Sequence, residues 1–409
     1  MYFVTILVYS IEFNTINSFT NVTKAILNLV YIRKQLFVYI CNMKQKQIQY
    51  LNNNYTNFKQ QKISGRYITL VNIESIINKL PNIFKTEIIG HSFKKQPIYK
   101  ISIGTGKIKI LFWSQMHGNE STGTKALFDL FNFIVNPLAL KDLTSKFLKE
   151  CTLVFIPMLN PDGALKYTRL NAQKIDLNRD AIDLKAAESK LLNKVLYDFK
   201  PHYCFNLHDQ RTIFSVGTEN NPATLSFLAP SVNEERTITK GRKETMQIIV
   251  GIDKTLQQLI PNQIGRYTDE FYPTATGDNF QKAGFNTILV EAGHFKDDYQ
   301  RETTRKYNFI ALISGINTII SPIKEKHNRY FDIPENEKNY LDVIYTNIRI
   351  NDKKGVFGIH FKEKLKDKKI IFAATIKRLN NLLSVNANKT ISDSYKFNSL
   401  TEFKEYLGK

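Results

Sequence analysis

Four side chains, from three distant stretches of the sequence, have the chemistry of a catalytic metal centre. His117 and Glu120 are three positions apart, so an imidazole and a carboxylate can face one ion. His208 offers a second imidazole and Glu291 a second carboxylate. Two imidazoles and one carboxylate leave one position of a zinc ion open to water, as in catalytic zinc sites. We therefore predict that His117, Glu120 and His208 bind one Zn²⁺ per chain.

Water activated by a metal needs a proton acceptor, and its attack on a carbonyl creates an oxyanion that needs positive charge nearby. Glu291 ends an apolar run, where an idle carboxylate is costly to bury, so we interpret it as a general base; a structural salt bridge is the alternative. The turn-rich stretch 169–180 is rich in arginine and amide side chains. Arg179, beside Asn178, could hold a terminal carboxylate in bidentate fashion; an ordinary surface arginine is the alternative.

The elements that must position these residues follow an α/β pattern. From about residue 65, short apolar runs alternate with helix-length amphipathic stretches, and runs 85–92 and 96–104 predict a hairpin. Four later runs are nearly continuous in apolar residues, as in strands covered on both faces. Each ends in a polar cluster, and ligands bind at the carboxyl ends of strands in open α/β sheets. The clusters predicted to converge there are His117 to Glu120, Asn160-Pro161-Asp162-Gly163, His208-Asp209 and Glu291.

Composition narrows the class of protein. With 43% hydrophobic residues, 18 Gly and 12 Pro, collagen-like, low-complexity and wholly disordered chains are excluded. The 57 basic and 37 acidic residues give a net charge of +20, which favours anionic partners in general. Lysines are spread along the chain, so we expect no nucleic-acid partner. Three cysteines cannot build a disulfide framework or a Cys-rich zinc site, which favours a reducing, cytoplasmic location.

The chain divides into four segments. Residues 1–42 are apolar but lack the features of a signal peptide, and Arg33 and Lys34 interrupt them too early for a membrane span. We interpret them as a gene-model extension or a disordered N-terminus, with translation beginning at Met43. Residues 43–64 predict a polar helix and 65–323 a catalytic domain. Residues 324–409 predict a small basic α+β extension.

Taken together, His117-x-x-Glu120, Asn160-Pro161-Asp162-Gly163, Asp176-Leu177-Asn178-Arg179, His208 and Glu291 resemble, in order and spacing, the zinc metallocarboxypeptidases of the carboxypeptidase A-like family, compact bacterial branch. The resemblance spans about residues 65–320. It implies a mixed, mostly parallel central sheet with helices on both faces, to which this chain adds a small β-containing C-terminal appendage.

The resemblance also implies residue roles. His117, Glu120 and His208 match the zinc ligands, Glu291 the general base, and Asp176 the carboxylate that orients the first histidine. Further matches concern the substrate. Asn178 and Arg179 would bind its free α-carboxylate, and Arg169 would stabilise the oxyanion. Tyr272 would close over the bound substrate, with Tyr267 as a competitor for this role, and Asp278 would line the pocket for the last side chain of the substrate.

The function implied is hydrolysis of the C-terminal amide bond of peptides. The partner is then a peptide or peptide-like substrate with a free carboxylate, with the oligomeric state left open. Two alternatives remain: a zinc-dependent deacylase or amidase acting on N-acyl amino acids or cell-wall peptides, and a catalytically inactive binding module on the same fold.

Overall fold

The computed structural model describes Met43 and residues 45–217, 221–379 and 385–407. The interpretation of residues 1–42 therefore lies outside the described residues. Among the helices described, none combines the length and the apolar character needed to cross a bilayer.

The first nine strands build the main domain, which we define as the part of the chain around one eight-stranded sheet. In chain order they are β1 (Lys85–His91), β2 (Pro97–Ile103), β3 (Ile108–Ser114), β4 (Cys151–Ile156), β5 (Tyr203–Asp209), β6 (Ser215–Val216), β7 (Leu225–Leu228), β8 (Ile264–Arg266) and β9 (Asn286–Ala292). All but β6 form the sheet, in the order β1-β2-β4-β3-β5-β9-β7-β8.

Four neighbouring strands, β4, β3, β5 and β9, pair in parallel. Antiparallel pairs join β1 to β2, β2 to β4, and β7 to β9. The prediction of a mixed, mostly parallel sheet is confirmed, and the predicted hairpin is the β1–β2 pair.

Helices cover both faces of this sheet. They are α1 (Gln45–Asn53), α2 (Tyr55–Phe58), α3 (Leu70–Ile77), α4 (Thr122–Val135), α5 (Lys141–Glu150), α6 (Pro161–Lys166), α7 (Ala187–Phe199), α8 (Lys240–Leu256), α9 (Thr276–Lys282) and α10 (Glu302–Ile320). Successive side chains of a strand point to opposite faces. Accordingly, Ile110 and Phe112 of β3 join a core with α4, α8 and α10, whereas Leu111 and Trp113 join a second core with α7 and α9.

The N-terminal segment packs into the main domain. Helices α1 and α2 bury Ile48 and Phe58 in the larger core. The Tyr55 hydroxyl donates to Oδ2 of Asp129 at 2.8 Å, and Asp129 pairs with Arg305 at 2.5 Å, with both side chains fully buried. The segment predicted as a polar helix thus uses its few apolar side chains to cover the sheet.

A second, smaller sheet follows the main domain. A short strand, β10 (Asn336–Glu337), first pairs with β6. The remaining elements are β11 (Tyr340–Ile350), β12 (Lys353–Lys366), β13 (Lys369–Leu379), β14 (Asn386–Ile391), β15 (Tyr395–Phe397) and α11 (Leu400–Leu407). Strands β13, β12, β11 and β14 lie side by side, and β15 also pairs with β11. We call β11 to β15 the C-terminal sheet; it has its own small core, which includes Phe357 and Phe403.

Candidate metal centre and cleft

The metal-binding side chains meet because three neighbouring parallel strands end at one edge of the sheet. His208 and Glu291 occupy directly opposed positions on β5 and β9. His117 and Glu120 lie in the loop that leaves β3, the other neighbour of β5. The structure therefore brings together the four residues that the sequence places at strand ends.

His117, Glu120 and His208 form a buried set whose ligand atoms lie within 4.8 Å of one another. Nδ1 of His208 is 3.1 Å from Nδ1 of His117 and 2.8 Å from Oε2 of Glu120. Tetrahedral zinc with bonds of about 2.0–2.1 Å separates its ligands by about 3.3 Å, so this spacing suits zinc.

The protonation of His117 fits metal binding as well. Its Nε2 lies 3.0 Å from Oδ1 of Asp176. Because an ionised carboxylate only accepts hydrogen bonds, Nε2 carries the proton and Nδ1 presents its lone pair to the set. Burial alone would raise the pKa of the Glu120 carboxyl, but the adjacent His117 and His208 outweigh it and hold that pKa well below its usual range. Glu120 is thus kept as the anion that a cation requires.

The loop that carries His117 and Glu120 is fixed by its neighbours. Gln115 adopts a φ of 51°, a backbone conformation that ordinary residues rarely take. A Cβ on Gly118 would lie 1.9 Å from the carbonyl carbon of Gly163, so only glycine fits this close approach. Asn160 accepts from the Gly163 amide at 2.8 Å and donates to the Met116 carbonyl at 3.1 Å. The Asn160–Gly163 cluster therefore supports the metal loop from behind.

Asp209 locks the start of α4 onto the end of β5. Its carboxylate accepts from the Thr122 hydroxyl at 2.7 Å and the Thr122 amide at 3.3 Å, the interaction that favours an anion at a helix N-terminus. Its own amide donates to Oε2 of Glu120 at 3.1 Å. This arrangement holds Glu120 beside His208.

A cleft of about 740 Å³ opens onto the metal set. The main domain contributes Glu120, Arg169, Arg211, Tyr267 and Glu291 to its lining. Burial raises the pKa of Glu291 well above its usual range, and the carboxylates of Glu120 and Asp209 raise it further. Glu291 thus stands next to the metal set as a carboxylate with strengthened affinity for a proton.

Arg169 brings positive charge to the same place. Its Nε donates to Oδ2 of Asp176 at 2.9 Å, and its Nη1 lies 3.2 Å from Nδ1 of His117 and 3.4 Å from Oε1 of Glu120. The side chain is 45% exposed. Arg169 is therefore tethered at one end and open to the cleft at the other.

Four of the residues predicted to contact substrate form a second group. The Arg179 guanidinium stacks over the Tyr272 ring at 5.3 Å, and Asp278 accepts from the Tyr272 amide at 3.2 Å. Asn178 accepts from the Thr276 amide at 3.1 Å. Burial raises the pKa of Asp278 to about 6. This group, Asn178, Arg179, Tyr272 and Asp278, lies together but outside the lining of the cleft, and its role stays a prediction.

Several residues of the cleft were not singled out by the sequence. Tyr267, named only as a competitor of Tyr272, lines the cleft with Glu291. Arg211 follows His208 by three positions, which could have been a signal. Lys362 belongs to the C-terminal sheet, in a lysine-rich strand with no recognisable motif, and also lines the cleft.

Comparisons with known proteins agree with this geometry. Residues 70–213 match the zinc carboxypeptidase family. The chain is 26% identical over 116 residues to carboxypeptidase 2 of Trichophyton tonsurans (28% of this chain, 20% of the relative). It is 33% identical over 101 residues to carboxypeptidase SOL1 of Arabidopsis thaliana (23% of this chain, 21% of the relative). The chain thus spans about a fifth of the length of these curated relatives.

A solved structure shows the same fold. A carboxypeptidase A candidate from Shewanella denitrificans OS-217 superposes with a TM-score of 0.50 at 14% identity, covering 61% of this chain and 68% of that one. At this identity the likeness concerns the fold alone.

Proposed function

We propose that this chain, whose residues 70–213 belong to the zinc carboxypeptidase family, is a zinc-dependent metallocarboxypeptidase that removes the last residue of a peptide. The observation that carries the proposal is the convergence of His117, Glu120 and His208 into one buried ligand set, with Glu291 lining the cleft beside it.

Each nearby residue has a distinct task in this proposal. Zn²⁺ held by the ligand set would polarise the scissile carbonyl and acidify a water molecule. Glu291 accepts the proton of that water and later delivers it to the leaving amine, as general base and then general acid. Arg169 faces the carbonyl oxygen and stabilises the negative charge that develops there. Asp176 holds His117 and Arg169 in place through one carboxylate.

Recognition of the C-terminus falls to the group around Arg179. The exposed guanidinium of Arg179 offers a planar pair of donors to a substrate carboxylate. Tyr272, which is 46% exposed beside it, covers the bound residue, and Asp278 lines the pocket for its side chain. On this proposal the substrate needs a free carboxylate.

The test is the variant Glu291→Gln, which keeps the shape of the side chain but removes the base. We expect zinc content, measured by elemental analysis, to equal that of wild type. We expect kcat for release of the terminal residue, followed by mass spectrometry, to fall by about 10²–10⁴-fold. The matched control is Glu235→Gln, the same exchange at an exposed position. Near-normal turnover in Glu291→Gln would refute its role as the base.

The substrate class is decided by a small panel: peptides with a free C-terminus, the same peptides amidated, and N-acyl amino acids. A carboxypeptidase cleaves the first group and spares the second. Preference for N-acyl amino acids would favour the deacylase alternative, in which the same zinc set serves a shorter substrate. Full zinc loading with no turnover on any of the three would favour an inactive binding module.

A further inference from the structure

The C-terminal sheet is anchored to the main domain through polar contacts that are at least partly buried. Glu363 of β12 accepts from Nη2 of Arg66 at 2.9 Å and from the Tyr167 hydroxyl at 2.6 Å. Arg66 is buried, and its carbonyl accepts from Ser121, the residue after Glu120. Since Ser121 precedes α4, the anchor reaches directly to the loop of the metal set.

A second anchor lies near the end of β9. Asn388 of β14 accepts from the Asp297 amide at 3.0 Å and donates to the Asp297 carboxylate at 3.0 Å. The buried His294 ring lies 3.3 Å from the same Asn388 oxygen. With two separate anchors, the C-terminal sheet has a fixed position on the main domain.

This position makes the sheet a wall of the cleft. His360 and Lys362 of β12 and Thr375 of β13 line the same cavity as Glu291, Tyr267 and Arg211. Any substrate that reaches Glu291 through the cleft therefore also meets the C-terminal sheet.

The charged side chains that line the cleft determine which charge on a substrate the cleft can bind. Five are carboxylates and four are permanent cations: Glu120, Asp209, Glu291, Asp342 and Glu363, and Arg66, Arg169, Arg211 and Lys362. Most are already engaged within the protein.

Four of the five carboxylates have partners. Glu120 belongs to the metal set, Asp209 accepts from Thr122, Glu363 pairs with Arg66, and Asp342 accepts from the Phe361 amide at 2.7 Å. Glu291 remains, the proposed base.

Two of the four cations have partners as well. Arg66 pairs with Glu363 and Arg169 with Asp176. The side chains of Arg211 and Lys362 form no ion pair or hydrogen bond with any residue that the structure describes. The cleft thus presents two cations without an ion-pair partner among the described residues, Arg211 from the main domain and Lys362 from the C-terminal sheet.

The position of the ligand set indicates which part of a bound peptide, before or after the cleaved bond, lies near these cations. The Asp176–Arg179 segment contacts His117 through Nε2, whereas Nδ1 of the same ring faces Glu120 and His208. The group that would hold the terminal carboxylate lies outside the cleft lining, and Glu120 lies within it. A peptide bound by Arg179 therefore places its terminal residue outside the cleft and its preceding residues under the C-terminal sheet.

We propose that Arg211 and Lys362 bind a carboxylate side chain on the residue preceding the cleaved bond, so that the enzyme prefers peptides with an acidic penultimate residue. This inference rests on the proposed carboxypeptidase activity, since it presumes that the terminal residue is held at Arg179. The C-terminal sheet then acts in substrate selection.

The experiment compares two blocked peptides that differ only in Glu or Gln at the penultimate position. For wild type we expect kcat/KM for the Glu peptide to exceed that for the Gln peptide by about fivefold at low salt, the size of two partly screened charge interactions. The ratio should shrink as salt is raised. In Arg211→Ala/Lys362→Ala it should fall to near one.

Two further variants sharpen the result. Lys364→Ala changes an exposed lysine of the same strand that lies outside the cleft lining, and it should keep the wild-type ratio. Arg211→Glu/Lys362→Glu should invert the preference, so that a Lys peptide outperforms the Glu peptide.

The outcomes separate this inference from the proposed function. Release of the terminal residue from both peptides with a wild-type ratio near one would overturn the inference while leaving the carboxypeptidase intact. A Glu/Gln ratio of kcat/KM that stays at the wild-type value in Arg211→Ala/Lys362→Ala would also overturn the inference. This result is expected, for example, if the two cations hold the terminal carboxylate, which both peptides share. Absence of release from both peptides would reject the proposed function itself.

Discussion

The contact between Arg66 and Glu363 makes a sharp prediction about stability, because it joins a buried cation to the sheet that walls the cleft. In Glu363→Gln the shape of the side chain is retained and its charge is lost. The Arg66 side chain is only 5% exposed, and Glu363 is 21% exposed. Among the described residues, Glu363 is the only acid paired with Arg66. The variant thus leaves a buried guanidinium without its ion-pair partner.

The magnitude follows from burial. Removing one partner of a fully buried ion pair costs about 3–5 kcal/mol. Glutamine keeps a carbonyl oxygen that can still accept from Arg66 and Tyr167, and the site is partly open to water. We therefore expect the free energy of unfolding to fall by about 2 kcal/mol, which is roughly a 30-fold change in the ratio of folded to unfolded protein.

The chain offers its own assay and control. Its single tryptophan, Trp113, is fully buried in β3, so Trp113 fluorescence during urea unfolding reports on the main domain. The control is Glu335→Gln, because Glu335 pairs with Arg266 at the same 2.9 Å but is 57% exposed. Exposed pairs contribute about 1 kcal/mol or less, so this variant should unfold near the wild-type urea concentration.

Two results would contradict this reasoning. Equal unfolding midpoints for Glu363→Gln and wild type would show that Arg66 does not depend on Glu363. Equal losses in Glu363→Gln and Glu335→Gln would show that burial does not set the strength of these pairs.

Two further predictions concern the metal set and acid stability. Asp176→Ala should weaken zinc binding by about 10–100-fold, because His117 loses the acceptor that orients it. Competition with a chelator measures the change. The control Asp183→Ala, which removes an exposed ion pair, should bind zinc as wild type does. Burial opposes ionisation of Glu302, but Lys125, Lys59 and Arg305 outweigh it and lower its pKa from 4.5 to about 2. Since the folded pKa is the lower one, this carboxylate contributes stability above pH 4.5 that is lost as the pH falls through 2, and because solvent reaches the site we expect about 1–2 kcal/mol. The difference in unfolding free energy between wild type and Glu302→Gln should therefore shrink on acidification, and a difference that does not change with pH would contradict the assignment.

The fold and the metal set could be predicted from the sequence because both depend on local patterns. The runs that became β3, β4, β5 and β9 are apolar enough to be recognised as buried strands. Parallel neighbours end at the same edge, so a polar residue at each end predicts convergence without knowledge of strand order. His117, His208 and Glu291 were predicted in this way.

The residues of the cleft wall lacked such a pattern. The contact between Arg66 and Glu363 joins residues 297 positions apart, and no periodicity connects segments across that distance. Lys362 is one of many lysines in the C-terminal region, and only the docking of β12 onto the main domain distinguishes it from Lys364.

The two tyrosines show the same limit at short range. Tyr267 and Tyr272 lie in the connection between β8 and α9, and spacing to Glu291 did not decide between them. The two side chains lie in different places in the structure. Tyr267 packs edge-on against Phe214 and lines the cleft, whereas Tyr272 stacks on Arg179. The path of a connecting segment depends on its contacts, which the sequence pattern does not contain.

The net positive charge of the chain can be related to particular residues of the cleft. A net charge of +20 favours anionic partners without indicating where they bind. Glu363 pairs with Arg66 and Asp176 pairs with Arg169, so these arginines add little to the field that a substrate meets. The side chains of Arg211 and Lys362 form no ion pair with any described residue, and they line the cleft from the main domain and from the C-terminal sheet. Selectivity for an acidic peptide therefore depends on these two side chains, and a redistribution of surface lysines elsewhere should leave the preference for the Glu peptide unchanged.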